Sequence, residues 1–155
     1  MGYVNVETRT IRPILRKIGD NIVISLQSER KKIGDVRLHS KIRPIHYAYY
    51  DGGMGLRIII FTSRAFGFNK KEVAEIDLLV MGRELDTSVA YGHKEANIYK
   101  GEIRVGQAVS KGYPPKKEDK IWPILKKILT KAAAEIKADF GFEEEVKIIG
   151  PEFKW

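Results

Sequence analysis

The sequence predicts an α+β domain in which a bent antiparallel sheet or half-barrel of about six to eight strands is covered by one long C-terminal amphipathic helix. Three observations predict it. Residues 119–140 carry apolar side chains at three- and four-residue spacing, most of the preceding chain alternates or runs apolar over strand-length stretches, and turns built on Gly, Asp and Pro separate those stretches. A helix with one apolar stripe must lay it on something, and a sheet is what the rest of the chain offers.

In the helix the stripe is Ile121, Trp122, Leu125, Ile128, Leu129, Ala132, Ala133, Ile136 and Phe140, with Lys120, Lys126, Lys127, Lys131, Glu135 and Lys137 on the other side. Glu118 and Asp119 put negative charge and a capping side chain at its start. Pro123 is tolerated in the first turn, and Gly141 supplies a stop.

Taken in order, residues 3–7 read as a short strand. Residues 10–18 read as a short helix, from Ile11, Ile14, Leu15 and Ile18 with Pro13 near the start and Gly19 just past the end; a strand over 12–18 is the alternative. Gly19-Asp20-Asn21 is turn chemistry, and 22–26 alternates as a strand. From 36 to 42, Val36, Leu38 and Ile42 point one way and Arg37, His39, Lys41 and Arg43 the other. Tyr47 and Tyr49 join the basic face if the phase survives Pro44, which otherwise marks an edge or a bulge. The Gly-rich residues 51–55 read as a hairpin connection, because a phosphate-cradling loop needs a helix after its glycines and a strand-like run follows here. That run, 56–61, is apolar on both faces except for Arg57, as expected of a central strand covered on two sides, one cover being the long helix.

Two patterns compete over 70–81. Asn69 with Glu72 resembles a helix cap, but Ala74, Ile76, Leu78 and Val80 alternate with Glu75 and Asp77, and the alternation favours a strand over 73–81. Residues 87–91 and 98–109 are further strands, with bends expected at Gly101 and Gly106. Residues 111–117 form a linker, 143–145 an acidic turn and 146–149 a last strand, and Phe153 and Trp155 are expected to pack down.

The 155 residues suit a single domain, with 43% hydrophobic and 31% charged residues. Without Cys there is no disulfide framework, thiol nucleophile or thiolate zinc site, which fits a cytoplasmic setting. No apolar run approaches the ~20 residues needed to cross a bilayer, and no signal-peptide pattern opens the chain, so no membrane partner is expected. Abundant Lys, Glu and Ile beside two Gln give a thermophile-like composition. The net charge is +8, and the excess concentrates in residues 1–50, with ten Lys/Arg against four Asp/Glu. A basic surface attracts polyanions.

Catalytic chemistry finds little footing. His39, His46 and His93 lack ligand-pair spacing, no Ser sits in a nucleophile elbow, and neither a metal nor a cofactor is expected. A metal-dependent nuclease could map Asp77 and Lys94, but its middle carboxylate is missing. The leading expectation is a non-catalytic nucleic-acid-binding protein for single-stranded or structured DNA or RNA. Arg30, Lys31, Lys32, Arg37, His39, Lys41 and Arg43 would meet phosphates, and Tyr47, Tyr49 and Tyr50 would stack on bases. The alternative is a homo-oligomeric scaffold or particle-assembly protein, suggested by strand edges and by aromatic surface including Trp122 and Trp155.

Overall fold

The computed structural model describes residues 2–33, 38–47, 53–64, 68–84, 95–107 and 121–150. They form β1 (Val4–Glu7), a 3₁₀ turn (Thr8–Thr10), α1 (Ile11–Ile33), β2 (Leu38–Tyr47), β3 (Gly53–Arg64), β4 (Phe68–Glu84), β5 (Glu95–Gln107), α2 (Ile121–Phe140) and β6 (Lys147–Ile149). The sheet runs β1-β5-β4-β3-β2, with β6 added to β5. It is an open six-stranded sheet, antiparallel throughout except for the parallel β5–β6 pair. The α+β class is as expected, but two helices cover the sheet where one was expected.

The second cover is α1. The helix expected over 10–18 does not stop at Gly19, and the strand expected over 22–26 lies inside α1. Ile11, Leu15, Ile18, Ile22 and Leu26 recur at four- and three-residue steps, and all are at most 2% exposed. Burying each is worth ~1.5–3 kcal/mol, against ~1 kcal/mol for a glycine inside a helix, so the stripe outweighs the glycine. A Cβ at Gly19 would stand 3.7 Å from both Ile42 Cδ1 and Ile58 Cδ1 and 3.9 Å from Leu78 Cδ1, so this residue faces the sheet.

The cover expected over residues 56–61 is therefore mainly α1, which packs on β3, β2 and β4, while α2 packs on β5, β6 and α1. Leu125, Leu129 and Ile136 of α2 join Leu56, Ile58, Ile60, Ile76 and Leu78 of the sheet in one core. Trp122, expected among the surface aromatics, is 3% exposed and belongs to that core. Gly141 ends α2 at φ 75°, and the N–H groups of Gly141 and Phe142 both donate to Lys137 O, at 2.9 and 3.0 Å. The expected cap at Asp119 lies outside the described residues, as do the strand expected over 87–91, the linker at 111–117, and Phe153 and Trp155.

Residues 73–81 are strand, as the alternation required: Ala74, Ile76, Leu78 and Val80 lie in the core, with Glu75 and Asp77 on the other face. β5 bends where the sequence did not point. Met81 pairs with Lys100 and Gly82 with Ile98, so Tyr99 is the extra residue of a bulge. Gly101 serves a different purpose. A Cβ there would come within 2.8 Å of Ile136 Cγ2, so its bare backbone lets α2 approach the sheet.

Candidate nucleic-acid interface

Pro44 leaves the strand phase intact. β2 pairs with β3 without a register shift from Leu38↔Thr62 to Tyr47↔Gly53, so odd-numbered positions stay on one face for the whole strand. A proline fits because β2 stands at the edge of the sheet formed by the described residues, where it pairs with β3 alone. His39, Lys41 and Arg43 are exposed on the face away from the helices, while Ile42 packs toward the core. No ion pair among the described residues engages Lys41 or Arg43. The His39 ring stacks on Phe61 of β3, centroids 5.4 Å apart and planes 24° apart.

The other expected contact residues divide by position. Arg30, Lys31 and Lys32 fall in the last turns of α1, the helix end whose dipole favours cations. Tyr47 closes β2 in backbone step with Arg43. Arg37, Tyr49 and Tyr50 lie outside the described residues.

Register extends the basic face sideways. Arg43 of β2 is opposite Arg57 of β3, Arg57 opposite Asp77 of β4, and Asp77 opposite Arg104 of β5, which makes one charged row across four strands. Like charges directly opposite repel, and Asp77 relieves the strain by taking hold of Arg57. Arg57 Nε donates to Asp77 Oδ1 at 2.9 Å and its terminal nitrogen to Oδ2 at 3.2 Å, with Glu75 Oε2 a further 3.8 Å from Nε. Arg104 forms an ion pair with Glu102. Asp77 and Glu102 are the buried charged residues among those described, at 8% and 6% exposure. A buried carboxylate needs such a partner, because desolvating an unpaired charge is costly.

The net effect is an uneven face. On β3 to β5 the cations Arg57 and Arg104 are answered by carboxylates, whereas on β2 no carboxylate among the described residues pairs with Lys41 or Arg43. Among the described residues, positive charge without an ion-pair partner therefore collects along the sheet edge, beside the His39–Phe61 stack.

The arrangement lends little to metal chemistry. Among the described residues no group of three or more His, Asp or Glu is gathered to hold a metal ion. Asp77, mapped from sequence as a nuclease carboxylate, gives both oxygens to Arg57, while Lys94 and His93 lie outside the described residues. No helix among the described residues is long and apolar enough to cross a membrane.

Sequence reasoning passed over Arg57 as an exception in an apolar run and treated Asp77 as a rival site. No local signal joins the two, since they lie twenty residues apart on separate strands and β4 carries Glu75 beside Asp77 as an equal candidate. Comparison with known protein families, curated proteins and solved structures found no match.

Proposed function

We propose that this protein is a non-catalytic nucleic-acid-binding protein that takes single-stranded or structured DNA or RNA on the outer face of β2. The observation that carries the reading is the pair of exposed cations, Lys41 and Arg43, with no carboxylate among the described residues engaging them, next to the stacked His39 and Phe61. Cations there supply the sequence-independent phosphate attraction, and an aromatic platform offers bases a stacking surface worth ~1–3 kcal/mol each. Among the described residues no strand flanks β2 on its far side, so an extended polymer could lie along it. Bending of the sheet into a half-barrel would curl this face around the polymer, and Tyr47, Tyr49 and Tyr50 would extend the platform. The cysteine-free composition suits a cytoplasmic role.

The test is fluorescence anisotropy with labelled single-stranded and duplex DNA and RNA across a salt series, on the parent chain and on Lys41→Gln/Arg43→Gln. Binding should weaken as salt rises, and losing two phosphate contacts should reduce the single-strand log–log slope by about 1.4. Absent binding, or a slope unchanged by the double substitution, would refute the reading.

A further inference from the structure

The outer side of the helix layer carries a second surface, unrelated to β2. Between α1 and α2 runs an open groove of about 560 Å³, with Ile22 and Ile128 among its apolar lining residues. At its rim stands Ile24, 65% exposed and the most exposed large hydrophobic residue among those described. A single exposed aliphatic side chain is ordinary; one standing beside an apolar groove on the same face is a knob next to a hole.

We infer that two copies of this chain associate through their helix layers about a two-fold axis, the Ile24 of each entering the groove of the other. The charge of the groove selects a second copy over an acidic or a basic partner. Its lining includes Lys127 and Lys131 but also Glu29 and Glu135, two of each sign, so a partner of one sign would meet repulsion as well as attraction. A second copy carries the same two of each sign, so a two-fold that sets each Lys against a Glu leaves no charge opposed by its like. Knob and groove on one face also make the contact isologous, so that it closes as a dimer and does not propagate.

The available area is of the right order. α1 has 23 residues and α2 has 20. At 1.5 Å per residue and an interaxial distance near 10 Å, the layer offers a flat footprint of about 30 by 20 Å, roughly 600 Å² against about 800 Å² per partner in a standard interface. The dimer is then two sheets facing outward around four helices, with the two β2 faces available at once.

Sedimentation velocity on the full chain, over about 1–100 μM, tests this, since interfaces of this size reach micromolar affinity or better. A monomer–dimer equilibrium is expected, weakened at least about thirtyfold by Ile24→Glu, the loss typical of an interface hot spot. The exposure of Ile24 means that the far-UV spectrum and melting temperature of the monomer should not change. Two charge-reversed chains, Lys127→Glu/Lys131→Glu and Glu29→Lys/Glu135→Lys, should each dimerise poorly alone and recover association when mixed. A chain that stays monomeric throughout, a dimer indifferent to Ile24→Glu, or reversed chains that fail to recombine would each overturn the inference. None of these outcomes depends on whether nucleic acid binds β2.

Discussion

Replacing Gly19 by Ala asks whether α1 is one continuous helix and whether its glycine is tolerated or needed. Within a helix, Ala is favoured over Gly by ~0.8–1 kcal/mol, because glycine has more conformational freedom to lose. The new methyl would enter ordinary van der Waals contact, 3.7 Å from Ile42 Cδ1 and Ile58 Cδ1 and 3.9 Å from Leu78 Cδ1, with no overlap to relieve. Burying one such carbon adds up to ~0.8 kcal/mol, so Gly19→Ala should stabilise by about 1–1.5 kcal/mol. For a chain of this length that is a rise of roughly 2–6 °C in melting temperature, read by circular dichroism and checked by urea titration at constant m-value. The sign decides the matter. A glycine that ended a short helix in the left-handed region would make the same substitution destabilising by about 1 kcal/mol. A fall in melting temperature would refute the continuous helix and the packing of Gly19 on the sheet.

The same substitution at Gly101 should go the other way: its Cβ would lie 2.8 Å from Ile136 Cγ2 and 3.2 Å from the Phe142 ring, and the overpacking should cost about 1–3 kcal/mol in urea titration. A neutral result would mean that α2 can slide on β5. Asp77→Asn should have two effects. Stability should drop by roughly 1–3 kcal/mol as the bidentate charge-assisted pair with Arg57 is lost, and the salt slope of single-strand binding should steepen by at most about 0.7, because Glu75 still stands beside Arg57. Divalent-dependent cleavage by the parent chain that vanished in Asp77→Asn would instead return the carboxylate to catalysis.

Elements were legible where period and punctuation agreed. α2 has an unbroken stripe and Gly141 at its end, and β4 alternates through Ala74, Ile76, Leu78 and Val80, so both follow from local pattern. α1 misled because its polar triplet, Gly19-Asp20-Asn21, resembles a turn. Asp20 and Asn21 are simply on the solvent side, and Asp20 lies 3.4 Å from Arg16 one helical turn earlier. The strand reading of 22–26 required Ile22, Ile24 and Leu26 to share a face. Instead Ile22 and Leu26, four apart, are buried, and Ile24 points outward. At the site, alternation alone put His39, Lys41 and Arg43 on one face. The Arg57–Asp77 pair was not legible, because it depends on how β3 and β4 align, and that register is set by tertiary packing.

The outer edge of β5 has a kinetic meaning. It is closed from two directions: β1 pairs with residues 95–98, and β6 runs alongside residues 102–104. β1 and β6 thus share a seam on a strand that lies between them in the chain, and the side-chain bond from Asn5 to Asn97 spans 92 positions. Contacts so distant require large loops to be closed before they return any stability, and a domain rich in them folds slowly. During synthesis β1 must wait for β5, and β5 must wait for everything through Ile149. Until then, the hairpins of β2 to β5 with α1 can assemble while half of that seam stands as bare backbone, the interval in which this chain is most open to pairing with the wrong strand.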